Sequence, residues 1–132
     1  MRKPLPFHPR AGQVLVGDFR DFDVPEITKV RPVVVISPKL PFRSGLVAIV
    51  PVSTTPPRKA VSYVFALSQN YTPWGEPTDP CWAKCDLVMN VATTRLSSFK
   101  VGRRQYLSPS VSPEDLAGIR NAVLAGLGFP KS

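Results

Sequence analysis

The dipeptide Arg31–Pro32 begins an apolar run and gives the sequence its most constrained cation. Proline is tolerated at the first residue of a strand, because its missing N–H then falls at the end of the hydrogen-bond ladder. It also keeps the preceding residue out of helical geometry. The pair therefore predicts a guanidinium held at the edge of a sheet. Its role is either functional or that of an ion-pair partner for an acid of the preceding loop, such as Glu26.

Three consecutive hydroxyl residues end the next apolar run, immediately before a Pro-Pro-Arg-Lys segment. Hydroxyls at the end of a strand often satisfy backbone groups of the following loop. Beside cations they can instead bind phosphate oxygens. Both interpretations remain open, and the candidate phosphate ligands are Ser53, Thr54, Thr55, Arg58 and Lys59.

Lys84 and Asp86 form a third candidate pair. If the segment is a strand, residues two apart share a face and lie roughly 7 Å apart. A neighbouring cation favours the charged form of a carboxylate. The pair is therefore either an acid–base couple or a solvated surface ion pair that contributes little to stability.

Cys81 and Cys85 are the only cysteines, and His8 is the only histidine. On a strand, residues four apart are separated by about 13 Å, whereas a disulfide needs Cα atoms within about 7 Å. Two cysteines and one histidine also fall short of a zinc ligand set. We predict two reduced cysteines in or near the core, with no metal and no cofactor.

The chain has 132 residues and a formal net charge of +8, from 17 basic and 9 acidic side chains. This excess favours an anionic partner, with nucleic acid as the leading candidate and solubility as the alternative explanation. Metal-free cleavage of RNA fits such residues, because the substrate's own 2′-OH is the nucleophile. The protein then supplies a base, a proton donor and cations for the charge that develops at phosphorus.

The apolar runs are too short to indicate a membrane location. None approaches the roughly 20 residues that a membrane span needs, and the N-terminal residues show no apolar signal segment. We expect a cytoplasmic protein without a membrane partner.

Segments rich in β-branched residues are typical of short strands. They cover residues 12–19, 31–37, 46–53, 61–67 and 81–91. An acidic loop, 18–26, precedes Arg31, and a polar, proline-rich insert, 68–80, is long enough to be functional. Residues 92–112 are expected to hold a short helical turn near 94–98 and then a basic edge segment.

The C-terminal segment predicts a helix over 113–127, with Ser112 as N-cap and Pro113 at the first position. Apolar residues recur on one face at helical spacing, namely Leu116, Ile119, Val123 and Leu127. Strands followed by one helix predict a mainly β (β-rich α+β) fold, a small bent sheet or barrel with an amphipathic C-terminal helix on one side. A single domain over 1–132 is expected, with 1–11 as an N-terminal extension.

The sequence resembles the PemK/MazF family of toxin endoribonucleases from type II toxin–antitoxin modules, over about residues 12–128. The resemblance is carried by GQVLVGDF, VRPVVVISP, VAIVPVSTT, KCDLVMNV and the segment from RLSSFKVG to the end of the helix. It implies an SH3-like β-barrel of five to six short strands. It also implies a homodimer, a cognate antitoxin that covers the RNA groove, and metal-independent, sequence-selective cleavage of single-stranded mRNA to 2′,3′-cyclic phosphate and 5′-OH ends.

Residue by residue, the resemblance places Arg31 on the family's catalytic arginine and Ser53 on a catalytic hydroxyl position that is commonly threonine. Asp86 falls on an aspartate that some members use as a base, and Lys84 falls on a basic position that is arginine there. Arg31 would then stabilise the charge on phosphorus or protonate the leaving oxygen. Further RNA-binding candidates, in order, are Lys29, Thr54, Thr55, Arg58 and Lys59.

Departures from the family pattern keep other functions in view: the loop before Arg31 has no histidine, Lys84 stands where the family has arginine, the loop 18–26 is acidic, and the 68–80 insert is added. One alternative is a degenerate module that binds RNA or protein without cutting. Another is a toxin of the same CcdB/PemK-like superfamily that acts on a topoisomerase. The recognised bases would depend on the loops 20–30, 54–60 and 68–80.

Overall fold

The computed structural model describes residues 5–130 and shows mostly antiparallel strands followed by one helix. The strands are β1 Val14–Asp18, β2 Val30–Val35, β3 Leu46–Ser53, β4 Val64–Ala66, β5 Trp82–Lys84, β6 Met89–Ala92, β7 Leu96–Ser97, β8 Phe99–Gly102 and β9 Gln105–Leu107, and the helix α1 is Pro113–Gly126. The mainly β fold with a C-terminal helix is confirmed. Of the predicted N-terminal extension 1–11, residues 1–4 lie outside the described residues.

Seven of these strands form one sheet in the order β4-β5-β3-β2-β1-β7, with β6 also paired to β3. β2 lies inside the sheet, and its consecutive residues Val33, Val34 and Val35 are all inaccessible to solvent. Side chains alternate between the two faces of a strand, so Val34 packs in one core cluster with the helix, whereas Val33 and Val35 pack in a second cluster. This double burial explains the continuous β-branched run.

Pro51 accounts for a break in the predicted strand 81–91. A proline inside a strand cannot donate to the ladder and is found at edges or bulges. β5 pairs with Val52 and Ser53 of β3, whereas β6 pairs with residues 46–49 of the same strand. Between these two pairings the chain leaves the sheet in a 3₁₀ turn, Cys85–Leu87. The prediction of one continuous strand over 81–91 is therefore wrong.

Helix α1 begins as the sequence predicts: the Ser112 hydroxyl accepts a hydrogen bond from the Asp115 N–H at 3.1 Å. It packs closely on β4 at Gly118, where an added Cβ would lie 2.1 Å from the Phe65 ring. The buried residues of the helix are Asp115, Ile119, Ala122 and Val123. Leu127, predicted on the buried face, is 58% exposed because the helix ends before it.

The insert 68–80 is built around internal hydrogen bonds. The buried side chain of Asn70 donates to the carbonyls of Trp74 and Glu76. Ser68 and Tyr71 donate hydroxyl hydrogen bonds to the buried carboxylate of Asp115, each at 2.7 Å. The insert thus ties β4 to the first turn of the helix.

Residues 92–112 contain more strand than predicted. A 3₁₀ turn over Thr93–Arg95 confirms a short helical turn near the expected position. The segment expected to be a basic edge instead forms a two-stranded hairpin, β8–β9. No helix among residues 5–130 is long and apolar enough to cross a membrane.

Candidate functional site

A cleft of about 300 Å³ opens on the sheet face opposite the helix, where β2, β3 and β5 lie side by side. Strand register and alternation put Arg31, Ser53 and Lys84 on this one face, each from a different strand. The segment before β2 closes the cleft on one side. The lining residues from that segment and from the walls are Pro25, Glu26, Ile27, Thr28, Lys29, Pro51 and Leu87.

The cations of this cleft are available to a ligand. Within residues 5–130, neither Arg31 nor Lys84 has an ion pair or hydrogen bond to its side chain. Arg31 is half-buried at the second position of β2, where the following Pro32 restricts its backbone. Among the described residues Glu26 forms no ion pair with Arg31, and its Oε1 atom accepts the backbone N–H of Asp23 at 3.0 Å. The cleft therefore presents three cations, Lys29, Arg31 and Lys84, against the single carboxylate of Glu26 among the described residues that line it.

The acidic loop 18–26 adds less negative charge to the cleft than its composition suggests. Asp18 binds Arg20 at 2.7 Å, and Asp21 binds Arg95 at 2.6 Å. The hydrogen bond from Arg95 lowers the pKa of the Asp21 carboxyl. Arg95 also lies 4.5 Å from the centre of the Phe22 ring. The two aspartates and these two cations line a surface depression of their own, which does not include Arg31.

The three hydroxyl residues at the end of β3 have different positions. Ser53 lines the cleft, and its Oγ accepts the Thr55 N–H at 3.0 Å, which leaves its hydroxyl proton able to donate. Thr54 and Thr55 are exposed beyond the cleft. Ser53 thus satisfies the loop backbone, as one of the two interpretations predicts, and it also faces the cleft, where phosphate binding stays a prediction.

A second, shallower groove of about 440 Å³ adjoins the cleft and shares Lys84 and Leu87 with it. Arg58 and Lys59 line this groove and not the cleft. Asp86 lies here too, exposed on the 3₁₀ turn that follows β5. The expectation that Lys84 and Asp86 share a strand face is therefore wrong, since the strand ends at Lys84.

Two polar residues of the cleft, Glu26 and Thr28, were not among the candidates from the sequence. Glu26 is the one carboxylate that lines the cleft within the described residues. Its nearness to Arg31 in sequence was a signal, but that nearness suggested an ion pair. Only the structure shows that the Glu26 carboxylate lines the cleft and accepts a hydrogen bond from the Asp23 N–H.

The cysteines belong to the core. Cys81 and Cys85 are buried and unpaired, which confirms their predicted packing. Burial raises the pKa of the Cys85 thiol to about 12 and also raises that of Cys81. Among residues 5–130, no three His, Cys, Asp or Glu side chains are grouped so as to bind a metal ion.

The chain matches known proteins in family and in fold. The family model for PemK-like, MazF-like toxins of type II toxin–antitoxin systems matches residues 10–125. A comparison with curated protein sequences found no match.

Among solved structures, the chain is similar to an endoribonuclease from a Mycobacterial species, with 22% identity, a TM-score of 0.63, and coverage of 94% of this chain and 95% of that one. It is also similar to a Mycobacterial endoribonuclease in complex with its cognate antitoxin, with 22% identity, a TM-score of 0.62, and 92% and 97% coverage. For MazF of Deinococcus radiodurans the identity is 20%, the TM-score 0.65, and the coverage 93% and 99%. At this identity the likeness establishes the fold.

Proposed function

Since this chain belongs to the family of PemK-like, MazF-like toxins of type II toxin–antitoxin systems, we propose that it is an endoribonuclease that cuts single-stranded RNA without a metal. One observation carries the proposal: Arg31, Ser53 and Lys84, from three neighbouring strands, line one cleft. Half-buried cations without partners among the described residues suit a bound phosphodiester better than a structural role.

The reaction that these groups support is transesterification. The 2′-oxygen attacks phosphorus and loses its proton, the bond from phosphorus to the 5′-oxygen breaks, and the 5′-oxygen takes up a proton. The products are a 2′,3′-cyclic phosphate and a 5′-OH. We assign proton acceptance to Glu26, because it is the carboxylate in the cleft, and general-base catalysis contributes about 10²–10⁴ in rate. Asp86, the base that the resemblance implies, lies in the adjoining groove.

The remaining groups stabilise charge. Arg31 would bind the equatorial phosphate oxygens as a fork of N–H donors, and its guanidinium stays protonated throughout. Lys84, an ammonium with three donors, is better suited to give the proton to the leaving 5′-oxygen. Ser53 would donate to a phosphate oxygen. Lys29 lies at the rim of the same cleft.

The substrate would extend beyond the cleft along the groove and the exposed end of β3. Arg58 and Lys59 in the groove, with Thr54 and Thr55 beside it, would contact the flanking phosphates. The required 2′-OH favours RNA over DNA, and a cleft of about 300 Å³ suits a single strand better than a duplex. With mRNA as its substrate, the protein would act in the cytoplasm.

Two protein partners follow from the family. A cognate antitoxin is proposed because similar toxins are solved with theirs. An acidic segment would suit a chain whose net charge is +8. We also propose a homodimer, and light scattering of the purified protein would give its mass directly.

The decisive experiment incubates the purified protein with mixed-sequence single-stranded RNA in the presence of EDTA and maps the ends. Cleavage to cyclic-phosphate ends, lost in Arg31→Ala, supports the proposal. Salt-sensitive binding without any cleavage would instead identify a binding module. Arg103→Ala, which removes the same charge from the exposed β8–β9 turn, serves as the matched control and should cleave like the parent.

A further inference from the structure

The groove beside the cleft has the composition of a nucleotide subsite and not only of a charged surface. It combines two exposed cations, Arg58 and Lys59, with the aromatic ring of Tyr63, which is 38% exposed. Lys84 borders both groove and cleft. A strand of RNA bound at Arg31 would therefore reach the groove by passing Lys84. An exposed aromatic ring next to cations is the usual platform for an unpaired base.

The groove is rigidly built around Tyr63. The Tyr63 carbonyl accepts the Cys85 N–H at 2.9 Å, which joins the turn before β4 to the 3₁₀ turn after β5. The last turn of the helix lies behind both turns. A Cβ added to Gly126 would lie 3.2 Å from the Tyr63 Cβ and 3.3 Å from the Asp86 Cα, so glycine permits this close approach. Tyr63 and Asp86 are thus held side by side.

Asp86 is the residue that the electrostatics of RNA binding do not explain. A carboxylate among three cations, Arg58, Lys59 and Lys84, repels a phosphate, and it has no hydrogen-bond partner among residues 5–130. A carboxylate only accepts hydrogen bonds, through two oxygens. Because Asp86 lines the same groove as Tyr63 and lies close to it at the level of the Cβ atoms, its carboxylate would suit the donor edge of a base stacked on Tyr63.

The four bases differ in what they offer such a carboxylate. Guanine presents two adjacent donors on its Watson–Crick edge, N1–H and the N2 amino group. Adenine and cytosine present one amino group beside an acceptor nitrogen, and uracil presents one N–H between two carbonyl oxygens. Only guanine matches both carboxylate oxygens without placing an acceptor against them.

We propose that this groove is a guanine-preferring subsite for a nucleotide next to the cleaved phosphate, with the base stacked on Tyr63 and its N1–H and N2 amino group bound by Asp86. This inference deepens the proposed function, on which it rests for the RNA substrate. Arg58 and Lys59 bind the phosphates on either side of that nucleotide.

The test measures binding in the absence of cleavage. Fluorescently labelled 2′-fluoro oligouridines carry one guanosine, placed at each position in turn, or one inosine at the same position. Fluorine removes the nucleophilic 2′-OH, and inosine lacks only the N2 amino group. We expect guanosine at one position to bind the parent protein roughly tenfold more tightly than inosine, the worth of a hydrogen bond to a charged group.

Two sets of variants assign that difference to residues. Asp86→Ala should bind guanosine and inosine oligonucleotides equally, whereas Glu114→Ala, which removes the same charge at the far end of the helix, should keep the parent's difference. Tyr63→Leu should weaken binding roughly tenfold through lost stacking, and Tyr63→Phe should not.

Equal affinity for guanosine and inosine at every position, or an undiminished difference in Asp86→Ala, overturns the proposed subsite. Because these probes cannot be cut, the result is separate from that of the cleavage assay. A guanosine preference without cleavage of natural RNA refutes the endoribonuclease and leaves the subsite standing. Cleavage of natural RNA without any guanosine preference refutes the subsite and supports the endoribonuclease.

Discussion

Arg31 and Ser53 lie on neighbouring strands, each two residues beyond Val33–Pro51, the last antiparallel pair of β2 and β3. Both side chains point to the sheet face opposite the helix, and both line the cleft. Backbone geometry, set by Pro32 and by the β2–β3 register, thus brings a guanidinium and a hydroxyl together without a direct bond between them. Such preorganised donors cost little reorganisation when charge develops on a bound phosphate.

The first prediction concerns the shape of the cation at position 31. Arg31→Ala should lower the rate of RNA cleavage by about 10²–10³, because it removes a donor set aimed at the developing charge. Arg31→Lys keeps the charge but loses the planar fork, so its rate should fall between those of the parent and Arg31→Ala. Single-turnover cleavage rates measure this order, and equal rates for Lys and Ala would show that charge alone has no role.

The second prediction tests which of two carboxylates, Glu26 or Asp86, accepts the proton of the 2′-OH. Glu26→Gln should lower kcat by about 10²–10⁴, because the proton acceptor is lost. Asp86→Asn should act mainly on KM and on base preference, since Asp86 lies in the groove and not in the cleft. Steady-state kinetics on one defined RNA make the comparison. A large fall in kcat for Asp86→Asn, with Glu26→Gln near the parent, would move the base to Asp86.

The third prediction is a dependence of stability on pH. Burial disfavours the charged form of Asp115, but hydrogen bonds from Ser68 and Tyr71 outweigh it and lower the pKa of this carboxyl. A lowered pKa in the folded state means that the contribution is complete above the unfolded pKa, about 4, and is lost as pH falls below it.

Chemical unfolding at neutral and acidic pH measures this effect. Asp115→Asn should lower the free energy of unfolding at neutral pH by about 1–3 kcal/mol, since hydrogen bonds to a charged group are lost. The variant should then lose less further stability on acidification than the parent does. A parent and variant with parallel pH curves would contradict the role of Asp115.

The fourth prediction concerns the contact between helix and sheet at Gly118. Glycine to alanine in a helix usually stabilises by about 1 kcal/mol. Gly118→Ala should instead destabilise by about 1–3 kcal/mol, because its Cβ would overlap the Phe65 ring. Thermal or urea unfolding measures the change. In a Phe65→Ala background the same substitution should cost much less, and an unchanged cost would point to another cause.

The fifth prediction concerns the cysteines. Because burial raises the pKa of the Cys85 thiol to about 12 and raises that of Cys81, little thiolate exists at neutral pH, and the thiolate is the reactive form. Both should react with a thiol reagent far more slowly in the native protein than in denaturant. Fast modification of either cysteine before unfolding would show that its side chain is accessible.

Local patterns in the sequence predicted those elements whose formation depends on nearby residues. The valine run of β2 is typical of a strand buried on both faces, and a serine N-cap followed by proline favours the start of a helix, here at Pro113. The break after Lys84 could not be found in this way. Its cause is Pro51, more than thirty residues earlier in the chain, and it acts only through strand pairing.

The class of fold, the position of the C-terminal helix and the restraint on Arg31 could be predicted from the sequence, because propensity, periodicity and proline geometry are local properties. Which groups meet was set by the folded structure. It placed Glu26 in the cleft, moved Asp86 to the groove beside Tyr63, and paired Asp21 with Arg95. These contacts depend on register and loop closure, which join residues far apart in the chain and leave no periodic trace in it.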